Sequence, residues 1–470
     1  MYREPPSERK TGRQPQKRKY FCAAGRFCQK SQSKNRNFPL YKEHTFGYNR
    51  DMKRVVFHVD VNSAFLSWEA VYRLKHLGGT LDLRTIPSAV GGDMAKRRGI
   101  ILAKSLPAKK YGVRTGETVV EAKKKCPELM LVAPHYGLYE RSSAALIKIL
   151  KEYSPQVEQF SVDEAFLDMT GMERLFGEPR EAAAALKDRI REELGFTVNI
   201  GVSSNKLLAK MASDFEKPDK VHTLFPEEIQ EKMWHLPVRE LFLVGSATER
   251  KLNHLGIETI GELACTDVRI LKAHLKKHGE VIWAFANGRD AGLVEAEPPE
   301  NKGYGNSTTI AFDVTDRETA RRVLLSLAET VAARLRKHGK KAELVSVSIK
   351  DSGLHTVSHQ TVLPAASDIT MEIYTAACRL FDELWDGAPI RHLGIHTGRL
   401  GEGEARQLNI FDGTDYEKLE KLDAALDNIR KRHGQDAVMR ASFLKSSLDH
   451  MAGGITRERR TVDYTKEKIQ

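Results

Sequence analysis

The chain has 470 residues, a hydrophobic fraction of 41% and a formal net charge of +12. That length exceeds one ordinary core and predicts two to four domains, with the composition of a globular protein. No apolar run reaches the roughly 18 residues of a membrane helix, and the basic N-terminus lacks an apolar signal core, so the expected location is the cytoplasm.

Residues 1–50 carry thirteen Lys/Arg against three acids, a net +10 that leaves only +2 for all that follows. This polar, aperiodic stretch reads as a disordered basic head (1–51). Bulk charge therefore says little about what the body binds, and any nucleic-acid site must rest on local patches. Cysteines 22, 28, 126, 265 and 378 form no CxxC pair and no metal spacing, which fits a reducing compartment. Ordered sequence begins abruptly at "DMKRVVFHVD", where Met52 leaves two readings open, a native tail or an extension from an upstream start.

"RVVFHVD" reads as a buried strand and "SAFLSWEAVYRLKHL" as an amphipathic helix. "REAAAALKDRIREELG" is a second helix ended by Gly195, and "FTVNIGVSS" is a strand followed at once by the helix "NKLLAKMASDF". Strands and helices alternate from 52 to 235, which predicts an α/β unit on a mixed sheet. Residues 236–300 read as helical. The order of elements over 301–400 predicts a compact βαββαβ domain. A Gly/Glu/Asp-rich linker follows at 401–413, then a helix over 415–433 within a polar C-terminal segment, 414–470.

"FSVDEAFLDMT" (160–170) reads as a strand pair interrupted by Asp163 and Glu164. Buried carboxylates destabilise a strand unless something positive compensates. Asp60 ends the first strand, where α/β sheets place functional groups. If the two strands are neighbours, the three acids converge, and mutual repulsion raises one pKa sharply unless a cation intervenes. One or two Mg²⁺ ions would resolve this, and a two-metal site is a device for nucleotidyl transfer. Alone, two adjacent acids fit a solvated turn as readily.

Ser203 and Ser204 are N-cap candidates for the next helix, with Lys206 in its first turn and Lys210 on the same face. A helix N-terminus carrying a lysine suits a phosphate, although Lys206 is equally readable as an exposed lysine. "AKSLPAKKYGVRTGE" gathers Lys104, Lys109, Lys110 and Arg114, either in a triphosphate pocket or in a solvated loop.

Five stretches, in order and spacing, resemble the Y-family translesion DNA polymerases, and within them the DinB branch: "HVDVNSAFLSWE", "KKYGVRTGE", "CPELMLVAPHYGLYERSS", "FSVDEAFLDMTG" and "GVSSNKLLAKMASDFEKPD". The resemblance spans residues 53 to 400. It implies a multidomain α/β fold: a palm on a mixed sheet with small fingers, a helical thumb with a helix–hairpin–helix, and a βαββαβ little finger. It further implies that Asp60, Asp163, Glu164 and the Val61 carbonyl hold two Mg²⁺, with Glu164 assisting activation of the primer 3′-hydroxyl. Phe65 matches the ring that bars a ribose 2′-hydroxyl, and Lys206 and Lys109 match triphosphate-binding positions.

There are departures. Leu106 and Lys109 replace a Tyr and an Arg common in the family, so the bidentate fork is lost. Asn62 stands where related chains often have a second Asp.

"LPVRELFLVGSATERKLNHLGIETIGEL" resembles the thumb hairpin that holds a DNA phosphate, near Gly245. "RLRKHGKK" gathers Arg334, Arg336, Lys337, Lys340 and Lys341 at a helix end, as a phosphate-binding patch or a solvated helix terminus. "QLNIF" resembles the peptide by which bacterial polymerases bind the sliding clamp, through Gln407, Leu408, Ile410 and Phe411.

The expected protein is thus a monomeric DNA polymerase that acts on primer-template DNA and dNTPs, bypasses lesions and lacks proofreading. Two rivals are an inactive accessory protein of the same fold, which would lose palm acids, and a nucleotidyl cyclase, which would lack thumb and little finger.

Overall fold

The computed structural model describes residues 54–92, 99–402, 413–444 and 446–453. The basic head and the 407–411 peptide lie outside the described residues.

β1 (Val56–Val61) is buried along its whole length, which explains its near-continuous apolar run. After α1 (Ala64–His76) come β2 (Ser88–Gly91), β3 (Ile101–Lys104), α2 (Leu106–Lys110), α3 (Val119–Lys125) and β4 (Met130–Val132). Those strands form a small sheet of order β3-β2-β4. A reciprocal Thr118–Glu121 capping box starts α3. Next are α4 (Tyr136–Tyr153), β5 (Val157–Gln159), β6 (Glu164–Asp168), α5 (Glu173–Phe176), α6 (Pro179–Leu194), β7 (Val198–Ser203), α7 (Lys206–Asp214) and β8 (Val221–Thr223).

The main sheet has the order β5-β6-β1-β7-β8. β1 runs antiparallel to both neighbours while β7 and β8 are parallel, so the sheet is mixed. Its core joins Phe57, Val59, Leu66, Trp68, Leu167 and Ile200. As expected, α6 stops at Gly195, whose φ of 80° is left-handed.

Two local readings are corrected. The segment 157–168 is a hairpin of β5 and β6, with Asp163 in its turn rather than inside a strand. The N-cap of α7 is Asn205, whose side chain accepts from Leu208 N at 2.8 Å. Ser203 still belongs to β7, and its hydroxyl donates to Leu224 O. α7 lies so close on β7 that a Cβ on Gly201 would stand 1.9 Å from Ala209 O.

α8 (Ile229–Lys232), α9 (Ser246–His254), α10 (Ile260–Cys265), α11 (Val268–Leu275) and α12 (Lys277–Ala286) share one core with Leu207, Leu208 and Met211 of α7. Packing therefore continues from the sheet domain into this helical one. β9 (Gly303–Val314), α13 (Arg317–Lys337), β10 (Lys341–Asp351), β11 (Thr356–Ser367), α14 (Thr370–Leu384) and β12 (Ile390–Gly401) form the βαββαβ domain. Its antiparallel sheet has the order β11-β10-β12-β9 and buries Val345, Val347, Leu393 and Ile395 with side chains of α13 and α14. A final helix, α15 (Tyr416–His433), follows. Among the described residues no helix is long and apolar enough to cross a membrane.

Candidate active site

Asp60, at the end of β1, stands directly opposite Glu164, the first residue of β6. Cross-strand partners share a face of the sheet, so the two carboxylates are neighbours by construction. Each has its own ammonium. Lys217, just beyond α7, donates to Asp60 Oδ2 at 2.8 Å, and Lys210 lies 3.1 Å from Glu164 Oε2. His58, two residues before Asp60 on the same face, is fully buried. Its Nδ1 meets Ser213 Oγ at 2.8 Å, and its Nε2 lies 3.5 Å from Glu164 Oε2.

These contacts separate the two acids electrostatically. Burial pushes the Asp60 carboxyl above its ordinary value, and Lys217 offsets only part of that push. Burial acts in the same direction on Glu164. There the nearby His58 and Lys210 outweigh it and bring the carboxyl down to about 2. Burial pushes His58 below its usual value, against the opposing pull of the Glu164 carboxylate.

The Asp163 side chain bonds within its own turn. Its Oδ1 accepts from Ser161 Oγ at 2.6 Å, and the same hydroxyl accepts from the amides of Asp163 and Glu164. That local turn holds the carboxylate on its own loop. Its backbone touches β1, where Asp163 O accepts from Val61 N at 3.0 Å. Among the described residues no three His, Cys, Asp or Glu side chains gather closely enough to hold a metal ion.

Lys206 lies elsewhere. Its ammonium donates to both Glu158 oxygens, at 2.6 and 2.7 Å, and sits 5.0 Å from the Phe166 ring centre. The first turn of α7 thus faces β5, while Lys210, a turn later, and Lys217, past the helix end, reach the acids. Sequence reading missed Lys217 because nothing in "FEKPD" shows which way that loop turns. Lys109 is exposed on α2.

Phe65 stacks on Tyr139, ring centres 4.4 Å apart, with Trp68 and Tyr136 around it. The Tyr139 hydroxyl donates to the buried Glu69 carboxylate at 2.8 Å, so the supporting ring is itself fixed. Gly245 precedes α9, and a Cβ there would meet nothing within 4 Å, which leaves its backbone open to close approach.

The basic cluster at the end of α13 is largely occupied within the chain. Arg336 reaches Asp427 at 2.6 Å and Asp423 at 3.1 Å on α15. Lys341 pairs with Glu420 at 3.0 Å, Lys340 lies 3.5 Å from Glu300, and Arg334 donates to Gly305 O. Lys337 is exposed. Acids of α15 account for Arg336 and Lys341, and spacing along α13 alone could not reveal them. The sheet face away from α13 and α14 presents instead Ser346 and Ser348 of β10, opposite Gln360 and Ser358 of β11. His396 of β12 extends the same polar surface.

A sheet-borne carboxylate pair, a helical hairpin domain and a separate βαββαβ domain together define the architecture of a polymerase palm, thumb and little finger. Residues 59–214 match the impB/mucB/samB family, residues 301–410 its C-terminal domain, and residues 226–257 the helix–hairpin–helix motif of the same family. The chain is 46% identical over 398 residues to a DNA polymerase IV of Clostridium acetobutylicum, covering 84% of this chain and 99% of that one. Against DNA polymerase IV 2 of Bacillus subtilis it is 36% identical over 404 residues, covering 84% and 96%. A solved Y-family DNA polymerase chimera shares the fold with a TM-score of 0.63 at 23% identity, over 74% of this chain and 99% of that one. The chain belongs to the impB/mucB/samB family as a DinB-like Y-family polymerase, a DNA-directed DNA polymerase.

Proposed function

We propose that this polymerase performs low-fidelity synthesis across damaged templates, with nucleotidyl transfer centred on the Asp60–Glu164 pair. The observation that carries the reading is their cross-strand register at the end of β1, with a lysine ammonium beside each carboxylate. Polymerases of this family generally depend on a divalent metal. Asp60, Glu164 and the Val61 carbonyl would hold Mg²⁺ through hard oxygens, and Asp163 would join them by turning its carboxylate away from Ser161. Burial of Asp60 beside a second carboxylate supports the need for positive charge at this point. When bound, Mg²⁺ supplies charge stabilisation at phosphoryl oxygens.

The chain's own groups divide the remaining work. Glu164, ionised across the physiological range, accepts a hydrogen bond from the primer 3′-hydroxyl and so assists its activation; the hydroxyl oxygen displaces pyrophosphate from the dNTP and its proton passes to solvent. Lys217 exchanges Asp60 for the triphosphate, a role expected of Lys206 on sequence and better supported for Lys217 by geometry. Lys109, exposed on α2, stays a second triphosphate candidate. The Phe65 ring, backed by Tyr139, leaves no room for a 2′-hydroxyl.

The Gly245 backbone and the polar little-finger face take DNA phosphates without reading bases, aided by Arg334 and Lys337. Gln407, Leu408, Ile410 and Phe411 dock on a sliding clamp and compensate for weak grip on DNA. The test is primer extension with Mg²⁺ on matched templates, one undamaged and one with an abasic site. Extension past the lesion with frequent misinsertion supports the reading. Arrest at the lesion with faithful copying of the undamaged strand would overturn it.

A further inference from the structure

Asn62 and Asn199 are buried side by side, Asn62 just past β1 and Asn199 opposite Asp60 in β7. Asn199 Nδ2 donates to Ser213 O at 3.0 Å and to Glu216 O at 2.7 Å. Two carbonyls fix that amide's orientation, since neither can face an oxygen. Its Oδ1 accepts from Lys220 N at 3.3 Å and from Asn62 Nδ2 at 3.1 Å. Asn62 Oδ1 in turn accepts from Asp219 N at 3.0 Å. The two side chains therefore hold four backbone groups of residues 213–220, two on each side of Lys217.

We propose that Asn62 and Asn199 are positioning residues, a matched amide pair that fixes the 213–220 loop so that Lys217 stands at Asp60 and is aimed at the incoming nucleotide's phosphates. The inference rests on the assignment of Lys217 to the nucleotide made above. The pairing is directional. Asn199 turns an oxygen toward position 62, so position 62 must donate. An aspartate there would set a carboxylate against an amide oxygen in a buried site, and the loop would have to move. This gives a physical reason for an amide rather than an acid at position 62.

The test uses the full chain on a primer-template whose primer ends in a dideoxynucleotide, and measures equilibrium binding of the correct dNTP. Single-turnover incorporation on an ordinary primer accompanies it. The variants are Asn62→Asp, Lys217→Ala and the double substitution. Asn62→Asp is expected to weaken dNTP binding by about tenfold, the scale of a lost buried hydrogen bond. Its maximal incorporation rate should stay within about twofold of wild type, a split that general damage to the fold would not produce. The double variant should bind no more weakly than Lys217→Ala, because Asn62 acts through Lys217.

Effects that multiply, or an Asn62→Asp variant that binds dNTP like wild type while Lys217→Ala does not, overturn the positioning role alone. If Lys217→Ala itself binds dNTP like wild type, the nucleotide assignment of Lys217 falls and the inference with it. Should Asn62→Asp fail to fold, Asn62→Ala removes the same bond without adding charge and carries the same comparison.

Discussion

Lys217 and Asp60 are 157 residues apart in the chain and 2.8 Å apart in space. That contact joins the end of β1 to the loop behind α7, and it sets a cation beside a carboxylate whose burial favours the neutral form. Lys206, the lysine that the family resemblance implies, pairs with Glu158 instead.

The two lysines are separable by kinetics. Lys217→Met is expected to raise the KM for dNTP by roughly tenfold or more, as loss of a charge-assisted contact does. Lys206→Met should change it by less than about threefold, with its effect falling on stability at the β5 edge. Steady-state single-nucleotide insertion by each variant checks this, and equal effects would refute the division of roles.

Phe65 owes its fixed position to Tyr139, stacked at 4.4 Å and tethered by Glu69. Phe65→Val opens space under the sugar and is expected to reduce discrimination against ribonucleotides by about a hundredfold, with little loss of dNTP incorporation. Competitive insertion of dCTP and CTP opposite template G measures this directly.

At Gly201 the constraint is packing rather than dihedral angle. A methyl group would stand 1.9 Å from Ala209 O and 2.5 Å from Ser213 N, both backbone atoms of α7. Gly201→Ala must push α7 off β7, with a cost of about 3 kcal/mol, and should lower Tm by several degrees. Because Lys210 rides on α7, incorporation should slow as well.

Glu329 is buried between Arg430, at 2.6 Å, and Arg440. Burial alone would raise its carboxyl, but the two guanidiniums outweigh that and hold it below its usual value. Its contribution is therefore complete above the unfolded-state value of about 4.3 and is lost as pH falls through the lower folded value. Glu329→Gln should lose about 3 kcal/mol at pH 7, and the gap in stability from wild type should narrow below about pH 4. Thermal unfolding at several pH values checks it, and a gap constant down to pH 3 would contradict it.

Much of the fold was legible in the sequence, because periodicity and end signals are local. The all-apolar β1, the Gly195 stop of α6 and the βαββαβ order of 303–401 needed no tertiary information. The nearness of Asp60 and Glu164 was legible as a consequence of pairing their strands, although the acids alone fitted a solvated turn as readily. What stayed hidden was set by long-range contacts: that Asp163 bonds to Ser161 in a turn, that Lys217 swings back to β1, and that α15 brings Asp423 and Asp427 to Arg336. A charge cluster such as 334–341 reads alike in one dimension whether it awaits DNA or already faces acids of its own chain.

The central claim, that the Asp60–Glu164 pair is the chemical centre, is tested most directly by single-turnover dNTP incorporation with Mg²⁺ by wild type, Asp60→Asn and Glu164→Gln, alongside primer-template binding. Both substitutions keep shape and remove charge. We predict a fall in rate of at least about a thousandfold for each with DNA affinity preserved. Incorporation within tenfold of wild type by either variant would contradict the account and place the chemistry elsewhere in the palm.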